Sequence, residues 1–533
     1  MEEEGWESEL EELRTRETFA ERMGGEEKVD RQRERGKLNI RERISKLLDK
    51  DSFHEIGKIS GRPTYDDEGN LIDLQAANFI FGRGSIDERP VVVAGDDFTV
   101  RGGAADASIP AKQVAAERMA GELRLPIIRL VDGTGGGGSV KSLDSDPKKK
   151  KETTGGHGGG SRTYVPAVVG WEHAITNLST VPVVSLALGP VAGLGAARMV
   201  TSHYSIMVKE LSQMFVAGPP VVNRLGGEQV DKESLGGSRL QTRSGAIDDE
   251  VGSEEEAFEQ CRKFLSYLPS SVYELPARSS ITDDPERRDE NLLTIVPRDR
   301  RKVYKMRTIM ESVLDQGSFF EMGKNYGRSV ITGLARLDGW PVAVMAGDPM
   351  HYGGSWTADA SQKVVRFVDF AETFHLPVVH LVENPGFLIG TEAEKAATIR
   401  HGSRAMAAVF QASVPWCSIL IRKVFGVAGA AHSASDRFQY RYAWPSGDWG
   451  SLPVEGGVEA AYRSDLEASD DPEALLKEIT ERLNKVRSPF RTAEAFYVEE
   501  IIDPRETRPL LCEFANLAAP LRTAGPSNIK YRP

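Results

Sequence analysis

The stretch VPVVSLALGPVAGLGAA runs from Val181 to Ala197. It opens as a β-branched apolar run and breaks into glycine and alanine where a helix should begin. A second stretch, VPWCSILIRKVFGVAGAA from Val414 to Ala431, has the same plan. A short apolar run closed by glycine reads as a buried strand feeding a helix. Backbone N–H groups at a helix start have no intrahelical partner and carry partial positive charge. Glycine and alanine let an anionic oxygen approach them. Each stretch is therefore a candidate oxyanion hole: Gly193 and Leu194 in the first, Val427 and Ala428, beside Gly426, in the second. For a single glycine pair, close helix–strand packing would be the simpler account. Two copies after equivalent strands favour the oxyanion reading.

The two stretches belong to a longer duplication. LLDKDSFHEIG (Leu47–Gly57) pairs with VLDQGSFFEMG (Val313–Gly323), and SIDERPVVVAGDDFTVRGG (Ser85–Gly103) with RLDGWPVAVMAGDPMHYGG (Arg336–Gly354). RLPIIRLVDGTG (Arg124–Gly135) pairs with HLPVVHLVENPG (His375–Gly386). All four pairs keep the same order in both halves, which makes the chain two related domains. Strand-like runs alternate with helical patterns such as PAKQVAAERMAGELR and ASQKVVRFVDFAETF, so each half is α/β with parallel strands and crossovers. The expected boundaries are a charged N-terminal arm over 1–35, a first domain over 36–276, a linker over 277–291 (ARSSITDDPERRDEN) and a second domain over 292–533.

The 533 residues hold 67 basic and 79 acidic side chains, a net charge of −12, with 40% apolar and 27% charged residues. That is a globular composition, and its acidity argues against nucleic-acid binding. The start, MEEEGWESELEELRTRE, has no apolar leader core, and no apolar run reaches the length of a membrane span. The 3 cysteines are scattered and form neither a disulfide framework nor a metal motif. A reducing compartment, the cytoplasm or an organelle matrix, is expected, and the Asn177-Leu-Ser sequon is read as chance. Lys141–Thr163 is a glycine-rich, lysine-bearing segment. It reads as a surface loop, or as one whose Lys148–Lys151 meet the phosphates of a coenzyme.

Competing motifs are incomplete. Gly193-Leu-Gly195-Ala-Ala-Arg198 is half a dinucleotide fingerprint, with Glu210 as a ribose ligand, but the third glycine position is arginine. GTGGGGSVKS (Gly133–Ser142) has a P-loop's composition without its Gly-Lys-Ser/Thr ending. No G-x-S-x-G elbow exists. His432, near Ser433, Ser435 and Asp436, reads as a surface or capping residue rather than a base. Asp96, Asp97 and Asp348 read as turn residues rather than metal ligands, and no metal site is expected. His157 has no assignable role.

From about Gly36 onward the sequence resembles the carboxyltransferase (β) subunits of biotin-dependent acyl-CoA carboxylases, of the propionyl-CoA and acetyl-CoA carboxylase type. The resemblance is carried by RGKLNIRERISKLLDKDSFHEIG, GDDFTVRGG, SQMFVAGPPVV, LGGSRLQTRSGAID, NPGFLIGTEAE, IRHGSRAMAAVFQASVP and IIDPRETRPLL, together with the opening stretch. It implies two tandem crotonase-like (ClpP/crotonase) domains of repeated β-β-α units and a ring-shaped homohexamer. It implies that Gly193 and Leu194 hold the enolate of an acyl-CoA thioester. Val427 and Ala428 would hold the ureido oxygen of biotin, and Gly386, Phe387 and Leu388 would line the biotin pocket. Ala430 falls where small-acyl carboxylases carry an acidic residue, which suggests a different acyl pocket. The family's GARIQEG-like segment is replaced by GGGGSVKSLDSDPKKKK.

In the mechanism this implies, carboxybiotin releases CO2 beside the acyl-CoA, the biotin anion removes the α-proton, and the enolate takes up CO2. Neither a biotinyl-lysine motif nor an ATP-binding glycine loop occurs, which places those steps on a biotin carboxylase and biotin carboxyl carrier partner. Three alternatives stay open. One is a decarboxylase or transcarboxylase running the same chemistry in reverse. The second is a non-catalytic scaffold. The third is a biotin-free hydratase, which two holes without paired glutamates disfavour.

Overall fold

The computed structural model describes residues 5–103, 109–133, 168, 170–226, 229–281, 283–432, 434, 436, 438 and 440–533. The chain divides into two compact units, Met1–Ser266 and Tyr267–Arg532. In the first, a short β1 (His54–Glu55) precedes a separate hairpin of β2 (Gly61–Tyr65) and β3 (Leu71–Ala76). Then come β4 (Phe79–Ile86), β5 (Arg89–Asp96), β6 (Ile127–Gly133), β7 (Val183–Ala192), β8 (Tyr204–Val208), β9 (Gln213–Phe215) and β10 (Asp249–Val251). The sheet order is β1-β4-β5-β6-β7-β8-β10, with β9 also paired to β7. β4 and β5 form an antiparallel hairpin, and β5 to β8 run parallel.

The second unit repeats this plan. Its strands are β11 (Phe320–Met322), β12 (Val330–Leu337), β13 (Trp340–Gly347), β14 (Val378–Asn384), β15 (Trp416–Phe425), β16 (Tyr440–Ala443), β17 (Asp448–Gly450) and β18 (Glu500–Ile501). The order is β11-β12-β13-β14-β15-β16-β18, with β17 beside β15. Even the irregularities coincide. The β6–β7 register slips between Val131 and Gly133, and the β14–β15 register between Val382 and Asn384.

The parallel strands are buried on both faces, so they read as unbroken Val/Ile/Leu runs. Val91 to Val93 and Ile127 to Ile128 are fully buried, as are Val378, Val379 and Leu381 in the repeat. The crossover helices start where their sequences say. Pro110 opens the Pro110–Leu123 helix, its missing N–H costing nothing there. Thr357 caps Ala358–Thr373 by accepting from the Ala360 N–H at 3.0 Å.

Residues 5–35 include two helices, Glu7–Glu21 and Glu26–Glu34, tied to the rest of the first unit by Lys58–Glu21 at 2.6 Å and by Arg22–Asp73. The segment 277–291, expected as a linker, is anchored within the second unit. Arg278 pairs with Asp338, and Arg287 donates to the carbonyls of Ser312 and Leu314. Among the described residues no helix is long and apolar enough to cross a membrane.

Candidate functional site

In both units a glycine held left-handed follows the ten-residue parallel strand, β7 or β15. Gly193 has φ 58° and Gly426 has φ 59°, values that residues with a Cβ rarely adopt. Short helices follow, Leu194–Val200 after β7 and Gly426–Ala430 after β15. The matching dihedrals set the register: Gly193 corresponds to Gly426, Leu194 to Val427, and Gly195 to Ala428. This corrects the assignment of Gly193 as a donor. Its N–H already donates to the Phe215 carbonyl at 3.3 Å, extending the β7–β9 ladder by one bond. Gly193 makes the turn, and the amides after it are the open ones. Among the described residues no oxygen accepts from the N–H groups of Leu194 and Gly195, nor from those of Val427 and Ala428. Gly195 and Ala428 are buried and Val427 is exposed. Gly195 was missed as a donor because the sequence does not show which amide β9 consumes.

The far ends of the two helices are held from equivalent positions by different chemistry. Arg129 of β6, fully buried, donates to the carbonyls of Arg198 and Thr201 and pairs with Glu117 at 2.7 Å. A cation at a helix C-terminus offsets the negative end of the helix dipole. Its counterpart in β14 is His380, whose ring donates to the His432 backbone. Burial first, then the neighbouring His432, pushes its pKa down to about 3, so the ring is neutral. Serines repeat the pattern: Ser185 Oγ donates to Arg198 O at 3.4 Å, and Ser418 Oγ to His432 O at 2.7 Å.

His432 is a capping residue. Its Nδ1 donates to Gly429 O at 2.8 Å, and its Nε2 lies 3.4 Å from the Arg441 guanidinium. Gly429 O can only accept, so the proton sits on Nδ1. Burial lowers the ring's pKa and keeps it neutral.

The repeated register slip turns one acid inward in each unit. Asp132, fully buried, meets Lys37 at 2.7 Å and Arg43 at 2.8 Å, and Arg43 also pairs with Glu254 at 2.7 Å. Glu383, also fully buried, accepts from Arg422 at 2.9 Å, from the Tyr304 hydroxyl at 2.9 Å and from the Lys423 N–H at 3.1 Å. Buried carboxylates need this pairing, and here every one of their oxygens has a donor. Just beyond Glu383, Gly386 O accepts from Trp356 N at 3.0 Å and Leu388 N donates to Trp356 O at 2.9 Å. Phe387 lies against Trp356, ring centres 6.4 Å apart. A Cβ built on Gly386 meets only Phe425 O, at 3.8 Å, so the space above that glycine is open. Ala430 is exposed at the end of its helix.

A cavity of 410 Å³ opens in the first unit beside Pro190 of β7. Lys28, Arg31, Arg35, Lys37, Arg101 and Lys232 line it, with Glu210 as the opposing acid. Lys37 sits over the Phe98 ring at 4.4 Å. Glu210, which the incomplete dinucleotide fingerprint would have made a ribose ligand, belongs instead to this basic cavity, and only tertiary structure collects its cations. Asp96 accepts from Arg198 and from the Asp132 N–H, Asp97 caps the Thr99 turn, and Asp348 caps Met350 and pairs with Arg307. All three have structural partners. Lys148–Lys151, His157, Ser433 and Ser435 lie outside the described residues.

The chain matches the carboxyl transferase domain family over residues 31–145 and 171–526. It belongs to the carboxyl transferase family. A propionyl-CoA carboxylase carboxyltransferase subunit from Haloferax mediterranei is 32% identical over 510 residues, covering 94% of each chain. The methylmalonyl-CoA carboxyltransferase 12S subunit of Propionibacterium freudenreichii subsp. shermanii is 31% identical over 525 residues, covering 98% of this chain and 96% of its own. The methylmalonyl-CoA decarboxylase subunit alpha of Veillonella parvula is 30% identical over 492 residues, covering 91% of each. The solved transcarboxylase 12S, a hexamer with methylmalonyl-CoA bound, superposes with a TM-score of 0.84 at 28% identity, covering 99% of this chain and 98% of its own. The fold is thus the expected α/β tandem of crotonase-like domains.

Proposed function

We propose that the chain is the carboxyltransferase subunit of a biotin-dependent acyl-CoA carboxylase. It would move a carboxyl group between biotin carried by a partner and the α-carbon of an acyl-CoA. The observation that carries this reading is the pair of repeated bends, each with two amides that find no acceptor among the described residues, in a chain of this family. In the first unit, Leu194 and Gly195 receive the thioester oxygen as it becomes an enolate. In the second, Val427 and Ala428 receive the ureido oxygen of biotin. A preorganised donor of this kind is worth roughly 3 kcal/mol of barrier. Gly193 and Gly426 hold the two turns.

The segment Gly386–Leu388 suits a flat ring, because it is pinned to Trp356 and leaves open space above Gly386. Carboxybiotin supplies the carboxyl group and, once discharged, the base, so the chain needs no basic side chain of its own. The basic cavity beside Pro190 takes the phosphates of coenzyme A. The exposed methyl of Ala430 borders the acyl group. The partners are a biotin carboxylase and a biotin carboxyl carrier, the assembly is a homohexamer, and the compartment is the cytoplasm or an organelle matrix.

The test is carboxyl transfer from a carboxybiotinylated carrier to a panel of acyl-CoAs. Labelled carboxyacyl-CoA is the expected product. Absence of both acyl-CoA binding and transfer would leave the scaffold reading in its place. A second reading, decarboxylation or transcarboxylation, is favoured by relatives at 30 and 31% identity that are named for those reactions. The same assay run from carboxyacyl-CoA to biotin tests it.

A further inference from the structure

We propose that Asn384 is a positioning residue that locks the biotin-side loop to the second oxyanion helix. The inference rests on the carboxyltransferase reading and extends it to a residue with no role assigned so far. Asn384 ends β14, and its side chain is 2% exposed. Its Nδ2 donates to the carbonyl of Ala428 at 2.9 Å, and its Oδ1 accepts from the N–H of Gly386 at 3.0 Å. One buried carboxamide thus joins the helix that presents the Val427 and Ala428 amides to the loop that carries Gly386, Phe387 and Leu388. An amide suits this place because it donates at one atom and accepts at the other.

The internal repeat separates this role from simple scaffolding. The position equivalent to Asn384 is Gly133, at the same register slip in β6. A Cβ there would lie 2.9 Å from the Gly103 Cα, so no carboxamide can be built. Among the described residues the first helix has no such bridge and is held by Arg129 and Ser185 from behind. Among those residues the bridge belongs to the unit assigned to biotin, where a loop and a helix must keep one spacing for a rigid ring. Misplacing a reacting group by about 1 Å costs on the order of 100-fold in rate.

The test uses the full-length protein with a biotinylated carrier. Asn384→Ala removes both bonds. Asn384→Asp keeps the acceptor for Gly386 but turns the donor to Ala428 into an oxygen. In both variants kcat should fall roughly 10- to 100-fold while KM for acyl-CoA stays within about twofold, because only the biotin side is displaced. Hydrogen exchange supplies a readout that does not need turnover. In Asn384→Ala, the Gly386 amide, which loses its acceptor, and the Ala431 amide, which donates to the Ala428 carbonyl, should exchange at least about tenfold faster, with the Ala197 amide of the first unit unchanged. In Asn384→Asp the acceleration should be confined to Ala431.

Wild-type turnover in the alanine variant overturns the proposal, as does a rise in KM for acyl-CoA equal to the loss in kcat, or unchanged exchange at both amides. If the exchange pattern appears but the wild-type protein transfers no carboxyl group, the carboxyltransferase reading fails. The positioning role then falls with it, leaving only a structural bridge.

Discussion

At the residue scale, the two glycines of the opening motifs are conformational and not chemical. Gly193 sits at φ 58° with its N–H given to Phe215. A valine there would strain the turn and swing the amides of Leu194 and Gly195. Gly193→Val should lower carboxyl transfer by at least about 100-fold, the loss of a hole donor, while the native assembly survives size-exclusion chromatography. Full activity in that variant would remove the first bend from the mechanism.

His380 makes a second prediction. Its folded pKa is depressed to about 3, below the ordinary 6.5. Between those values the unfolded state binds a proton that the folded state refuses, so stability falls as pH drops from 6.5 toward 3. Denaturant unfolding across that window should show the loss, and His380→Gln should flatten it. The tautomer of His432 and the free amide of Gly195 were not legible in the sequence. The first depends on how the chain folds back onto Gly429 O, the second on which amide β9 takes up.

At the element scale, the strand-and-helix pattern was legible because apolar runs closed by glycine recur in order in both halves. The register slips were not. LVDG and LVEN read as strand ends, yet each buries its acid at the slip and needs cations from far away, Arg43 for Asp132 and Arg422 for Glu383. Arg422→Met would leave Glu383 with only the Tyr304 hydroxyl and the Lys423 amide. Stranding a buried charge in this way costs about 3–5 kcal/mol. Guanidinium unfolding of the variant should show that loss, and an unchanged midpoint would mean that Tyr304 and Lys423 suffice. Arg278 and Arg287 likewise show how a polar segment that reads as a linker becomes part of a unit once its arginines find carbonyls and acids.

At the scale of the whole molecule, a chain of net charge −12 gathers six cations around one cavity. Attraction for a multiply charged phosphate ligand is then local and salt-sensitive. The double variant Arg35→Glu/Lys232→Glu should raise KM for acyl-CoA about tenfold or more at low salt, with kcat at saturation little changed and the difference shrinking as ionic strength rises. A KM that ignores both charge reversal and salt would take the coenzyme phosphates elsewhere.

The sequence by itself determined the duplication, the α/β class, the two bends and the family, because local chain chemistry and order carry all four. Tertiary structure alone decided which amides stay open, which acids are buried and where positive charge collects. Those depend on which groups meet across long stretches of chain, such as Gly193 with Phe215, Asp132 with Arg43, and Lys28 with Lys232 around one cavity. Hydrogen bonds and charges act over a few ångströms of space, and spacing along the chain does not record them.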